Sequence, residues 1–226
     1  MIKAILISLG ASLSLVVSAF PYGAAGHQIV GQIADEKLAG TPTGKAVTAY
    51  LDGMTLEKTQ TDGFYASASK AAKTILETVE KDGFIQVFSH LDADGIAAAG
   101  IIGKALWRLD ARFRIRVLQW VDDKIIGEII AGKPQLVVLT DFGSGYLDLL
   151  NEKASGVKVV ILDHHQIVGN AVNEGFVQVN PHLHGIDGAT DVSGSGVAYF
   201  AAKALDLQNV DLSPIAIVGA LGDMQD

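Results

Sequence analysis

Histidines and aspartates gather in four short clusters with the composition of a metal-dependent hydrolytic site: His90-Leu91-Asp92-Ala93-Asp94-Gly95, Asp141, Asp163-His164-His165 and Gly219-Ala220-Leu221-Gly222-Asp223. Taken singly, each has an ordinary explanation. Asp94 ahead of a helical run resembles an N-cap, Asp141 before Phe142-Gly143-Ser144-Gly145 is a common turn residue, and isolated Asp-x-Asp pairs are frequent. Brought together without partners, such carboxylates would repel one another in a low-dielectric crevice, and divalent cations resolve that repulsion. The chain has no cysteine, so any metal must use oxygen and imidazole. That donor set suits Mn²⁺, with Mg²⁺ next, and the number of donors suits two ions sharing a carboxylate. Two ions roughly 3.5–4 Å apart can activate a water and stabilise the leaving oxygen of an in-line displacement at phosphorus.

Three clusters follow apolar runs that read as strands, at 84–89, 136–140 and 157–162, and a further alternating strand covers 112–120. Helical patterns fall at 95–109, 124–131, 146–153, 196–207 and 213–221. Another helix opens near Phe64, carries Ala68, Ala72, Ile75 and Val79 on one face, and stops at Gly83. This alternation predicts an α/β fold, an open parallel sheet with helices on both faces, preceded by a short helical segment. Ligands of such sheets sit outside the carboxyl ends of the strands, which would gather the clusters into one crevice.

With 226 residues, 49% of them hydrophobic, and 25 glycines, the chain can bury a sizeable core of one or two domains. Its net charge of −8 argues against gripping duplex DNA by electrostatics alone, so a nucleic-acid substrate needs local basic patches. Near the amino end, Lys3 precedes an apolar stretch at 4–17, and Val17-Ser18-Ala19 offers a small-residue cleavage site, the pattern of an export signal. The stretch falls short of the about 20 apolar residues that span a bilayer, so no stable membrane insertion is expected. Helical spacing at 26–38 and 45–51 then lapses into polar residues between Asp52 and Gly63. The expected organisation is a signal-like segment at 1–19, a helical fragment at 20–61 and a catalytic domain at 62–226.

Secondary features admit two meanings each. Ser193-Gly194-Ser195-Gly196 opens a helix whose free N–H groups could hold a substrate phosphate, or it is a flexible turn. Arg112, Arg114 and Arg116 share one strand face, which could steer a nucleic-acid backbone, although a solvated or edge-protecting face is the commoner meaning. His182 and His184 could touch a phosphate or metal, or lie in a solvent-exposed loop.

Val87-Phe88-Ser89-His90-Leu91-Asp92-Ala93-Asp94-Gly95, Leu139-Thr140-Asp141-Phe142-Gly143-Ser144-Gly145, Leu162-Asp163-His164-His165-Gln166 and Val218-Gly219-Ala220-Leu221-Gly222-Asp223-Met224-Gln225-Asp226 resemble the four motifs of the DHH phosphoesterase superfamily. Within it they are most similar to archaeal RecJ-like exonucleases of the GINS-associated type. The resemblance spans about 62–226 and includes Asn180-Pro181 and Gly185-Ile186-Asp187-Gly188. It implies metal ligands at His90, Asp92, Asp94, Asp141, His164 and Asp223, with Asp141 as the bridge and His165 against the scissile phosphate or its leaving group. It further implies Mn²⁺ or Mg²⁺ as two ions, hydrolysis of single-stranded DNA or RNA in replication or repair, and a GINS-type replisome protein as partner. Phe88 stands where the pyrophosphatase branch carries a metal-binding histidine, which counts against a pyrophosphatase. A phosphodiesterase for short oligonucleotides or cyclic dinucleotides is the alternative enzyme, and a non-catalytic replisome scaffold the alternative class.

Two departures complete the reading. The chain ends three residues after Asp223, so the smaller clamp domain of RecJ-like enzymes is expected to be lacking. Tyr22-Gly23-Ala24-Ala25-Gly26-His27 resembles the start of secreted zinc-dependent single-strand nucleases of the mung bean type, with Tyr22 in place of their first tryptophan and His27 alone matching a ligand. Residues 1–61 therefore read as a fragment joined to a different enzyme, and cytoplasmic chemistry is expected despite the signal-like segment.

Overall fold

A computed structural model describes residues 58–225 apart from Ser155. The signal-like segment and most of the 20–61 fragment thus lie outside the described residues. The elements are α1 (Lys58–Val79), β1 (Phe84–His90), α2 (Ala93–Arg108), β2 (Arg112–Leu118), α3 (Asp123–Ala131), β3 (Leu136–Thr140), α4 (Leu147–Lys153), β4 (Val159–Leu162), β5 (Phe176–Val179), α5 (Gly194–Leu205) and α6 (Ser213–Gly222), with short 3₁₀ turns before α4, after β5 and before α6. The strands form one sheet of order β2-β1-β3-β4-β5, parallel throughout.

Side chains of successive strand residues leave on opposite faces, and both faces are covered. Ile85, Val87, Leu136, Val138, Val160 and Leu162 pack under α1, α2, α5 and α6. Phe88, Val137, Leu139, Val159 and Ile161 pack against α3 and α4. Burial on both sides is why β3 and β4 read as unbroken apolar runs. At the edge, β2 alternates instead and turns Arg112 and Arg114 to solvent. The α2 helix buries Ala98 and Ala105 in the core it shares with α5 and α6, and its Gly103 gives clearance to β2, where a Cβ would lie 2.6 Å from Ile115 Cδ1.

Two elements differ from the sequence expectation. Helix α1 begins at Lys58 rather than near Phe64 and runs through Gly63. A Cβ at Gly63 would lie 2.7 Å from His184 Nδ1, so this glycine provides clearance for an imidazole rather than a helix break. Strand β5 has no counterpart in that expectation. It has only 4 residues and is entered from β4 without an intervening helix, so the helix-strand alternation that marks its neighbours is missing.

The sheet order places β2 to one side of β1 and β3 to the other. Connections therefore diverge between β1 and β3, opening a crevice at their carboxyl ends. Both strands end there in acidic or imidazole residues.

Candidate metal centre

Hydrogen bonding carries β3 and β4 directly into the aspartates Asp141 and Asp163. The Asp141 N–H donates to Leu162 O at 2.8 Å, and the Asp163 N–H to Val179 O at 3.1 Å, so both carboxylates stay in register with the sheet. Asp141 adopts φ 60°, a left-handed conformation uncommon for a residue with a side chain. Such strain amounts to roughly 1–3 kcal/mol and gathers at functional sites. Asp92 caps α2 by accepting the Gly95 N–H at 2.8 Å on Oδ1, and its Oδ2 lies 2.6 Å from His90 Nδ1.

His164 Nε2 is the hub of the crevice. It lies 3.2 Å from Asp141 Oδ1, 3.7 Å from Asp223 Oδ2 and 3.9 Å from Asp94 Oδ2. Its other nitrogen, Nδ1, is 2.6 Å from Gly188 O. Donation of an Nδ1 proton to that carbonyl leaves the Nε2 lone pair facing the carboxylates, the usual outer-sphere arrangement of a metal-binding histidine. The donor atoms fall into three groups, each within 4.8 Å: His90, Asp92 and Asp141; Asp94, His164 and Asp223; and Asp141, His164 and His165. Asp141 thereby joins the His90 side of the crevice to the His164 side.

The residues fit a cation. Asp94 Oδ2, both Asp141 carboxylate oxygens and His164 Nε2 are buried without a hydrogen-bond partner, although Asp141 Oδ1 and His164 Nε2 lie 3.2 Å apart. Leaving such atoms unsatisfied is costly, and charged ones more so. Burial pushes the Asp141 carboxyl up to about 8, with Asp94 and Asp92 adding to the rise and His164 opposing it. For His164, burial is the largest influence and acts downward, but Asp141, the Gly188 carbonyl and Asp163 outweigh it and lift the ring to about 9. Both shifts express one demand, that of crowded buried carboxylates for positive charge, which protons meet until metal displaces them.

Other residues hold the ligands in place. Asp94 Oδ1 accepts from Ser193 Oγ at 2.9 Å and from the Ser195 N–H at 3.0 Å. The Ser193-Gly194-Ser195-Gly196 turn is buried at the start of α5, so these two donors are directed at a ligand carboxylate rather than free for substrate phosphate. A Cβ at Gly194 would sit 2.7 Å from Asp141 Cβ, which is why this helix start admits only glycine there.

Two residues quoted in the motifs but given no separate role prove structural to the site. Fully buried Asp163 accepts from the backbone N–H groups of Ser144, His164 and His165, and its Oδ1 is 2.8 Å from His165 Nδ1. Burial, the largest influence, raises the Asp163 carboxyl, yet the His165 ring and these donors bring it below its ordinary value. The Asp163 contact in turn raises His165 above its ordinary value. Gln225 Nε2 donates to Gly188 O at 2.9 Å and to Asp223 Oδ2 at 3.2 Å, bridging one ligand to the carbonyl that orients another. A buried aspartate preceding two histidines was a legible signal for the first, whereas nothing local marked Gln225.

The remaining candidates lie elsewhere. Arg112 pairs with Asp82 at 3.1 Å and Arg116 with Glu128 at 2.6 Å, and Arg114 is exposed along the β2 edge. His184 turns from the crevice toward Ser67 Oγ, 2.9 Å away, whereas His182 stays at the mouth beside Gln166.

An open parallel sheet whose carboxyl ends gather these carboxylates and imidazoles, without thiolate, makes a candidate metal centre on an α/β scaffold. The family model for the DHH family, N-terminal domain, matches residues 84–221, and the chain belongs to that family. An uncharacterised protein of Methanocaldococcus jannaschii is 35% identical over 163 residues, covering 69% of this chain and 37% of its own. Exonuclease RecJ bound to manganese superposes with TM-score 0.60 at 22% identity, over 70% of this chain and 43% of RecJ. RecJ of Thermus thermophilus in complex with Mn²⁺ gives 0.59 at 24% identity, over 70% and 24% of the two chains. The chain spans less than half the length of each of these relatives. Among the described residues, no helix is long and apolar enough to cross a membrane.

Proposed function

We propose that this protein hydrolyses phosphodiester bonds in single-stranded nucleic acid, as a Mn²⁺- or Mg²⁺-dependent exonuclease acting on DNA, and on RNA as a secondary substrate, in replication or repair. The observation that carries the reading is the crevice in which Asp141, with neither carboxylate oxygen hydrogen-bonded, joins the His90–Asp92 side to the Asp94–His164–Asp223 side. DHH membership and the RecJ-like fold support it. His90, Asp92 and Asp141 would hold one ion, and Asp94, His164 and Asp223, with Asp141 shared, a second. Bound there, such ions supply an activated water and charge neutralisation at phosphorus. His165 is fixed at Nδ1 by Asp163 and half exposed. Its other nitrogen is free to contact the scissile phosphate or to give a proton to the departing oxygen.

Hydrolysis of short oligonucleotides or cyclic dinucleotides is the second reading, favoured by the pairing of Arg112 and Arg116 with acidic residues of the same chain. Phosphate contacts set affinity for long strands, and these pairs occupy guanidiniums that would make them. The intact ligand set argues against a purely scaffolding role. A GINS-type partner and a cytoplasmic location belong to the same proposal, checked by co-purification and by cell fractionation.

The test is metal-dependent degradation of end-labelled DNA, RNA and dinucleotides by the purified chain. Stepwise release of mononucleotides from single strands, abolished by EDTA and restored by Mn²⁺, is the expected result. Activity surviving EDTA, or absent from every substrate, rejects the proposal.

A further inference from the structure

The geometry points to Trp120 as a stacking platform for a nucleobase at the rim of the metal crevice, an inference that rests on the phosphodiesterase reading and extends it to how the substrate is held. In the sheet, His90 lies opposite Leu118 on the neighbouring strand. Trp120 follows two residues later, beyond the carboxyl end of β2. Neighbouring strands are about 4.8 Å apart and two residues reach at most ~7 Å, so the Trp120 backbone lies within roughly 12 Å of that of His90. One or two nucleotides bridge such a gap. The indole is 57% exposed, and Leu91, between the ligands His90 and Asp92, is 44% exposed.

The surrounding charge says which part of a nucleotide this rim accepts. Asp122 and Asp123, both exposed, follow Trp120 after the buried Val121, and Lys124 and the Lys153 amine, 3.8 Å from Asp123, balance them, so these residues hold no surplus of positive charge for a phosphate while the rim leaves an aromatic face for an uncharged ring. Stacking on such a face tolerates any base and suits single strands, whose bases present free π surfaces. Trp107 provides the contrast within the same chain. It is 65% exposed, but the Lys104 amine sits 3.9 Å over its ring. It belongs to the last turn of α2, whose first turn starts beside the ligands and whose axis leads away from them.

The chain holds only these two tryptophans, so the full-length Trp107→Phe variant reports on Trp120 alone. Binding of a phosphorothioate-linked oligodeoxynucleotide, followed by anisotropy of a terminal dye, should quench its emission. An oligonucleotide of the same length with abasic sites throughout should bind about tenfold more weakly and quench little. In the natural background, Trp120→Ala should raise KM on a short oligonucleotide about tenfold with a smaller change in kcat and unaltered Mn²⁺ affinity, and Trp120→Phe should restore most of the loss. Binding without quenching, equal quenching by the abasic strand, or an unchanged KM in Trp120→Ala overturns this inference and leaves the phosphodiesterase reading standing. A natural chain that neither binds nor cuts the oligonucleotide overturns both.

Discussion

The two faces of the sheet are built from similar apolar residues yet do different work. On one, α1, α2, α5 and α6 form a broad core, and the same helices deliver Asp94, the Ser193 and Ser195 donors that hold it, and Asp223. On the other, α3 and α4 cover Phe88, Leu139 and Ile161, and no described residue of either helix is among the groups suited to a metal. Packing alone does not make a site. The difference lies in small residues at helix ends, which let backbone and carboxylates approach where α3 and α4 offer bulky aliphatic contacts.

Replacing the shared carboxylate should separate the two faces most sharply. Asp141→Ala is expected to lower hydrolysis by several orders of magnitude while circular dichroism still reports the native helix content, because one side chain serves both halves of the crevice. Near-normal turnover would mean that the crevice is not the site. A smaller effect is expected from Gln225→Ala, which frees Asp223 and the carbonyl behind His164. Mn²⁺ affinity, read by calorimetry, should fall about 10-fold or more, as for outer-sphere partners generally, with saturating metal recovering much of the rate. Unchanged affinity would remove Gln225 from the ligand-holding set.

Acidity gives a third comparison. Asp141 and His164 are lifted to about 8 and about 9 from ordinary values of 3.8 and 6.5, so the folded state binds protons that the unfolded chain releases. Their contribution to stability is complete below those ordinary values and is lost as pH rises through the folded ones. Without divalent ion, the melting temperature should therefore fall most steeply between about pH 6.5 and 8, the window where both groups contribute. The rise in Tm on adding Mn²⁺ should grow over the same range. An increment that stayed flat with pH would show that the crevice does not exchange protons for metal. Least is expected at the site from the opposite face. Ile126→Ala, on the buried face of α3, should cost about 2–5 kcal/mol of stability by denaturant unfolding yet leave turnover per folded molecule unchanged.

Much of this could be read from residue order because local chemistry dictates it. The apolar runs of β3 and β4 are buried on both sides, and their helical partners keep their periodicity, so α/β architecture and the crevice at the strand ends followed. Three things did not. Strand β5 is too short to show a period and lacks a helix before it. The Ser193–Gly196 turn matches a phosphate-binding helix start in composition, and only tertiary contacts reveal Asp94 seated on its donors. Arg112, Arg114 and Arg116 do share a face, but their neighbours Asp82 and Glu128 come from other elements, and pairing across a fold leaves no trace in the spacing of a strand.

The ligands are also spread along the chain in a fixed order of synthesis. His90, Asp92 and Asp94 emerge first, Asp141 and His164 follow, and Asp223 comes last, on a helix that must dock against α2 before the crevice is closed. Until that helix docks, the group of Asp94, His164 and Asp223 lacks one of its three donors. A carboxyl that keeps its proton up to about pH 8 can be enclosed as a neutral group and surrender the proton when metal arrives. The order of synthesis thus makes the complete donor set a property of the finished domain rather than of the growing chain.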